Sequence, residues 1–84
     1  MTTADITADG TGEITEVTEI FRRVLESPDL APDADFFAAG GDSLLATRVL
    51  SAVARAYSVE LTFDDFLLAP TPRALARLIA GGDR

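Results

Sequence analysis

The stretch that decides the fold is FFAAGGDSLLATRVL, residues 36–50. It runs from two phenylalanines through a glycine pair to Asp42, and apolar residues recur at helical spacing after Ser43. Asp42 is a good N-cap, because its carboxylate can accept hydrogen bonds from the free N–H groups of a first helical turn. The stretch therefore predicts a loop that ends at Asp42 and a helix that begins at Ser43.

This second helix has one face with the i, i+3, i+4, i+7 spacing of buried residues. The face consists of Ala46, Val49, Leu50, Val53 and Tyr57. An adjacent face, which we expect to be more exposed, carries Leu45, Arg48, Ala52 and Arg55. Leu45 is the unusual member, since it places a large apolar side chain beside two arginines.

Three further helices are predicted, one before this helix and two after it. The first runs from near Glu13 to near Ser27 and ends before Pro28, with an apolar stripe at helical spacing. The stripe is Ile14, Val17, Ile20, Phe21, Val24 and Leu25. The third is short and begins after Thr62, which forms an Asp version of the capping box with Asp65. Its core-facing residues are predicted to be Phe63, Phe66 and Leu67.

The fourth helix is predicted to start after the cap Thr71, with Pro72 at its first position and the glycines at 81 and 82 as its stop. Its apolar stripe is Leu75, Leu78 and Ile79. Residues 28–42 form a long loop, in which at least one of Phe36 and Phe37 should insert into the core. The expected fold is an all-α four-helix bundle, and the pattern alone leaves its topology open.

We expect residues 1–12 to be a disordered N-terminal tail, residues 13–80 to be one domain, and residues 81–84 to be a C-terminal tail. The chain has 84 residues, a net charge of −7, seven arginines as its only cations, and neither cysteine nor histidine. These features exclude disulfides, thiolate or histidine metal sites and histidine-based nucleophilic catalysis, and they disfavour nucleic-acid binding. The composition speaks against an autonomous enzyme, a membrane span and a signal peptide.

Ser43 is the candidate for chemistry. Gly40 and Gly41 keep its approach open, and a helix N-terminus favours a phosphate on the Ser43 hydroxyl. The residues alone leave two interpretations: an ordinary helix cap made by Asp42 and Ser43, or a site for an anion or a modification. Asp33, Asp35 and Asp42 do not form a calcium loop, because Ala38 and Leu44 stand where that loop needs glycine and glutamate.

The segment resembles the attachment motif of carrier proteins, Asp42-Ser43-Leu44, and its flanks resemble the peptidyl carrier (thiolation) subgroup of nonribosomal peptide synthesis. The flanking matches are Phe37, Gly40, Gly41, Ala46, Thr47 and Arg48. Downstream, residues 59–61, 67–71 and 74–75 are similar to the segments around the family's third and fourth helices, so the resemblance covers roughly residues 14–80.

The resemblance implies a bundle of the acyl carrier protein type, with a long first loop and a short third helix. It implies that a phosphopantetheinyl transferase attaches 4′-phosphopantetheine from coenzyme A to Ser43, with Gly40, Gly41 and Asp42 forming the rest of the site. The arm's thiol would hold an aminoacyl or peptidyl thioester for an adenylation enzyme and for condensation or tailoring enzymes. The chain itself would be non-catalytic.

Two alternatives stay open: an acyl carrier protein of polyketide or fatty-acid synthesis, and an unmodified helical adaptor. We expect a monomeric, cytoplasmic, freestanding (type II) member, although a domain cut from a larger synthetase would look similar. Leu68 departs from the family, which often has a polar residue there. It either packs in the core or extends an apolar patch, so the predicted partner-binding residues are Leu44, Leu45, Arg48 and Leu68.

Overall fold

The computed structural model describes residues 11–81, which form four α-helices. They are α1 (Thr11–Leu25), α2 (Ser43–Tyr57), α3 (Phe63–Leu68) and α4 (Pro72–Gly81). The predicted all-α bundle, with its long first loop and short third helix, is confirmed. Among the described residues, no helix combines the length and the apolar character needed to cross a bilayer.

The ends of α1 differ slightly from the prediction. The helix begins at Thr11, two residues before Glu13, so Thr11 and Gly12 are helical and only residues 1–10 of the predicted tail lie outside the described residues. It ends at Leu25 because Glu26 takes a left-handed φ of 55°. The Ser27 N–H then donates to the Arg22 carbonyl at 2.9 Å, as in a Schellman motif.

The other predicted helix ends agree closely with the structure. α2 begins at Ser43, and Thr71 caps α4 through its Oγ1, which accepts from the Ala74 N–H at 3.1 Å. Gly81, the first residue of the predicted C-terminal tail, is instead the last described residue of α4. Residues 82–84 of the predicted tail lie outside the described range.

Helix α1 packs against both α2 and α4, and α3 packs against α2. The phenol of Tyr57, at the end of α2, donates a hydrogen bond to the carboxylate of Glu16, near the start of α1. At the other end, Gly41 just before α2 lies against Phe36, whose ring contacts Phe21 in the later part of α1. The two helices therefore lie antiparallel, which the sequence had left open.

Three fully buried phenylalanines form the centre of the core. The Phe36 ring lies edge-on to Phe21, with ring centroids 5.3 Å apart, and edge-on to Phe66 at 4.9 Å. Edge-to-face pairs of this kind add to the stabilisation that comes from burying apolar area. The predicted insertion of the long loop into the core is confirmed, because Phe36 is a loop residue and is completely buried.

Hydrogen bonds join the long loop to α1 on one side and to the region where α3 meets α4 on the other. The Phe36 N–H donates to the Pro70 carbonyl at 2.8 Å, and the Arg73 N–H donates to the Pro32 carbonyl at 3.0 Å. On the other side, Arg22 Nε donates to the Leu30 carbonyl at 2.9 Å. These bonds fix the loop, and so they fix the position at which α2 begins.

The prediction for the inner face of α3 is wrong for two of its three residues. Phe66 is fully buried, but Phe63 and Leu67 are exposed. α3 has only six residues, and Phe66 is the side chain that reaches the core, where its ring lies against Phe21 and Phe36. Its start was predicted correctly: Thr62 and Asp65 exchange the two hydrogen bonds of a capping box.

Candidate functional site

The turn before α2 is shaped by its two glycines. Gly40 has a φ of 109°, a backbone conformation that other residues adopt only with strain. Gly41 lies against the Phe36 ring, so that a Cβ atom on residue 41 would come within 2.2 Å of the Phe36 Cε2 atom. The sequence indicated open access at these glycines but gave no sign of the contact between Gly41 and Phe36.

Hydrogen bonds within the turn hold this geometry. The N–H groups of Gly40 and Gly41 donate to the carbonyls of Phe37 and Phe36, at 3.1 Å and 2.9 Å. The Asp35 carboxylate accepts from the Ala38 N–H at 2.9 Å. The turn thus links the start of α2 to the aromatic core through Phe36.

Asp42 caps α2 as predicted. Its backbone is extended, and its carboxylate accepts from the Leu45 N–H at 2.9 Å. Ser43 is the first residue of α2 and its side chain is exposed. Because Asp42 supplies the cap, the Ser43 side chain is not needed for that purpose.

This arrangement fits a phosphodiester on Ser43. The side chain is exposed at the N-terminus of a 15-residue helix, whose first N–H groups and dipole both favour an anion. The structure therefore brings together the four predicted cofactor-site residues, Gly40, Gly41, Asp42 and Ser43, in one turn. Within residues 11–81 there is no group of three or more acidic side chains placed to hold a metal ion.

Large apolar side chains are exposed on the two helices around this turn. Leu44, directly after Ser43, is 66% exposed, and Leu68, at the end of α3, is 84% exposed. Leu68 therefore does not pack in the core. Leu67 and Arg48 are also exposed, whereas Leu45 is half-buried and packs against the core. Leu67 was missed as a surface residue, because its spacing from Phe63 and Phe66 was typical of a buried face.

The fold and the turn match proteins of known type. A family model described as "Phosphopantetheine attachment site" matches residues 15–79. Pyochelin synthetase PchE from Pseudomonas aeruginosa is 44% identical over 59 residues, 70% of this chain. The probable non-canonical nonribosomal peptide synthetase CymA from Salinispora arenicola is 39% identical over 80 residues, 94% of this chain. This chain spans 4% of the length of PchE and 1% of that of CymA.

Two solved structures have a similar fold. One is a chain in the structure of the phosphopantetheine transferase Sfp in complex with coenzyme A and a peptidyl carrier protein. It has a TM-score of 0.79 and 35% identity, over 82% of this chain and 90% of that chain. The other is BlmI, a type-II acyl carrier protein from Streptomyces verticillus involved in bleomycin biosynthesis. It has a TM-score of 0.86 and 18% identity, over 96% of this chain and 98% of that chain, and supports the fold.

The chain belongs to the phosphopantetheine-attachment family, the carrier proteins, whose prosthetic group is 4′-phosphopantetheine. Within this family it is homologous to the peptidyl carrier (thiolation) domains of nonribosomal peptide synthetases, as the sequence predicted. The expectation of a freestanding chain stays a prediction.

Proposed function

We propose that Ser43 is the attachment residue for 4′-phosphopantetheine, and that the chain presents an aminoacyl or peptidyl thioester to biosynthetic enzymes. The observation that carries the proposal is the exposed Ser43 side chain at the first position of α2, inside the segment that matches the attachment family. The arm supplies a terminal thiol for the thioester, a group that this chain lacks because it has no cysteine.

Attachment needs little from the chain beyond placing Ser43. Its Oγ forms a bond to phosphorus in the diphosphate of coenzyme A, and the hydroxyl proton is lost. The phosphoanhydride bond breaks, and adenosine 3′,5′-bisphosphate leaves with the bonding electrons. The new phosphodiester then lies at the N-terminus of α2, where the dipole stabilises its negative charge. Gly40 adds no side chain to the exposed turn before Ser43, and Gly41 leaves room for the Phe36 ring beneath it.

The proposed partners are a phosphopantetheinyl transferase, an adenylation enzyme, and condensation or tailoring enzymes. The transferase is supported by the similarity to a chain in a complex that contains Sfp and a peptidyl carrier protein. The other partners are supported by the similarity to nonribosomal peptide synthetases. We propose that the chain is itself non-catalytic, since it has no histidine or cysteine, and that it acts in the cytoplasm, where coenzyme A is made.

We further propose that these partners contact a docking face formed by Leu44, Leu45, Arg48 and Leu68. Leu44, Arg48 and Leu68 are exposed near the Ser43 end of the bundle, and exposed apolar patches on small proteins often mark partner sites. Leu67, also exposed on α3, extends this face. Leu45 contributes less surface, because part of its side chain packs against the core.

Intact-protein mass spectrometry tests the attachment. The protein is incubated with coenzyme A and a broad-specificity phosphopantetheinyl transferase, beside Ser43→Ala and Ser51→Ala variants. We expect one added phosphopantetheinyl group in the parent and in Ser51→Ala, where a different exposed α2 serine is removed. Ser43→Ala should remain unmodified. An unmodified parent that is folded by circular dichroism would contradict the proposal.

A further inference from the structure

A groove runs between α1 and α2 and is lined by residues of both helices. Its apolar part consists of Ile20 from α1 and of Ala52 and Ala56 from α2. The groove stays open because the two alanine side chains are too short to fill the space between the helices. An apolar side chain of another molecule can therefore enter between α1 and α2.

Two carboxylates line the same groove, and both already have partners within the chain. Glu16 accepts the hydrogen bond that the Tyr57 phenol donates. Glu19 forms an ion pair with Arg22, in which Oε2 and Nη1 are 3.1 Å apart. The acidic side chains of the groove are therefore bonded to other residues of the same molecule.

Two arginines also line the groove, one from each helix. They are Arg23 of α1 and Arg55 of α2, and both are exposed. The ion pairs within residues 11–81 involve Arg22 and Arg73 instead, although the chain has fourteen acidic residues and only seven basic ones. The groove thus presents two guanidinium groups, each with several N–H donors, beside an apolar surface.

An occupant of this groove must satisfy both kinds of surface. A simple anion would meet the arginines but leave the apolar part uncovered, and a purely apolar segment would not use the guanidinium groups. An amphipathic helix that carries carboxylates beside its apolar stripe does both, because guanidinium groups bind carboxylates through paired hydrogen bonds. From Thr15 to Arg23 the groove spans eight steps of α1, or about 12 Å, which two to three turns of such a helix would cover.

The groove is well separated from Ser43. Ala52 and Ala56 follow Ser43 by nine and thirteen residues, which correspond to about 14 and 20 Å along α2. Arg55 lies two turns beyond Arg48 of the docking face, so the groove continues along α2 in the direction away from the attachment turn. A helix bound there would leave Ser43 uncovered.

We propose that this groove is a second docking site, which binds an acidic amphipathic helix of a partner protein. Apolar side chains of that helix lie on Ile20, Ala52 and Ala56, and its carboxylates pair with Arg23 and Arg55. The site does not depend on the attachment at Ser43. It holds the chain on one partner while the enzymes that act at Ser43 bind and leave at the docking face.

A synthetic peptide tests the proposal on the intact, ¹⁵N-labelled chain by nuclear magnetic resonance. The peptide is a stapled, alanine-based helix of roughly fifteen residues with a leucine stripe flanked by glutamates, and its control has glutamine in place of every glutamate. We expect the glutamate peptide to shift the amide signals of Ile20, Ala52 and Ala56, and to leave those of Leu44 and Leu68 in place. At low ionic strength it should bind about tenfold more tightly than the glutamine peptide, because two exposed ion pairs are made.

Matched variants test the residues of the groove. Arg23→Gln and Arg55→Gln should each weaken binding of the glutamate peptide by about threefold, the effect of losing one exposed ion pair. Arg77→Gln removes an exposed arginine from α4 and should leave the affinity unchanged. Ala56→Gln should weaken binding because the longer side chain fills the groove, whereas Ala80→Gln, at an exposed alanine of α4, should not.

Ser43→Ala should bind the peptide as the parent does, so this proposal can fail while the attachment at Ser43 stands, and the reverse. Equal affinity for the glutamate and glutamine peptides would overturn the proposal, as would peptide shifts at Leu44 and Leu68 or no binding at millimolar peptide. Groove signals that shift with protein concentration alone would assign the groove to a second copy of this chain and would also overturn it.

Discussion

Gly41 and the ring of Phe36 are in such close contact that no side chain fits between them. A Cβ atom on residue 41 would lie 2.2, 2.4 and 2.7 Å from three atoms of the Phe36 ring. Phe36 cannot move aside easily, because it is fully buried between Phe21 and Phe66. The residue two places before Ser43 is therefore constrained by core packing.

Gly41→Ala should destabilise the protein by about 1–3 kcal/mol, the usual cost of adding a methyl group to a packed core. Urea unfolding followed by circular dichroism measures the effect. Gly81→Ala is the matched control, since a Cβ there meets nothing within 4 Å. Equal unfolding midpoints for the two variants would show that the Phe36 ring can move to make room for the added methyl group at no measurable cost in stability.

Leu44→Ala and Leu68→Ala should weaken loading by an adenylation partner without harming the fold. We expect each substitution to lower kcat/KM for loading by about tenfold, or ~1.4 kcal/mol, because it removes an apolar side chain that contacts the partner. The free energy of unfolding should change by less than about 0.5 kcal/mol, because both side chains are exposed. Steady-state loading kinetics, measured alongside thermal unfolding, test both statements.

Arg48→Ala and Arg55→Ala form a matched pair on α2 for the same assay, since both arginines are exposed. Arg48 belongs to the proposed docking face and Arg55 lies two turns away, in the groove between α1 and α2. We expect slower loading for Arg48→Ala only. Equal loading by both variants would remove Arg48 from the docking face.

Tyr57 should resist ionisation in the folded protein. Burial raises the pKa of its phenol above the usual 10.0, and the hydrogen bond to Glu16 and the charge of Glu16 raise it further. The pKa is raised, so the contribution of this pair to stability is present below pH 10.0 and is lost as the pH rises through the folded-state pKa.

Ultraviolet absorbance measures this ionisation directly, because Tyr57 is the single tyrosine and the chain has no tryptophan. Glu16→Gln should lower the pKa of Tyr57, since it removes the carboxylate charge. Glu19→Gln, one turn along α1, is the control, and it should leave the titration of Tyr57 unchanged. A phenol that titrates near its ordinary pKa in native protein would argue against the bond to Glu16.

Asp33 should titrate below its usual range. The hydrogen bond from Arg73 Nε, 2.7 Å long, lowers the pKa of the Asp33 carboxyl, and the charges of Arg73 and Arg77 add to the effect. Its stabilising contribution is therefore complete above the ordinary pKa of 3.8 and disappears as the pH falls through the lower folded-state value.

Carbon-13 resonances of the Asp33 carboxyl group, followed as the pH is lowered, give its pKa. Arg73→Gln should move the pKa back toward 3.8, and Arg77→Gln should move it by less, because Arg77 acts through charge alone. High salt should also raise the pKa of Asp33, since the pair is exposed and screened by ions. Equal effects of the two arginine variants would contradict the bond seen here.

The sequence was most informative about helix caps, in which a side chain bonds a backbone group a few residues away. The caps at Asp42 and Thr62 are of this kind: each side chain bonds a backbone N–H three residues later. The start of α2, and with it the position of Ser43, could therefore be predicted from a short stretch alone.

Features that depend on distant residues could not be predicted in this way. Asp33 and Arg73 are forty positions apart, and their pairing requires the loop to lie beside α4. The inner face of α3 was misjudged because its two turns give too few residues to define a stripe. Phe63 and Leu67 look buried by spacing, yet only Phe66 is buried, with its ring against Phe21 of α1 and Phe36 of the loop.

The bond from the Phe36 N–H to the Pro70 carbonyl has a consequence for how the protein opens. Loop amides usually exchange with deuterium through small local fluctuations. The Phe36 N–H is instead hydrogen-bonded to the Pro70 carbonyl, at the junction of α3 and α4, and the Phe36 ring is fully buried. Its hydrogen should exchange as slowly as those in the middle of α1, and a protease should cut this loop only in molecules whose whole bundle has come apart.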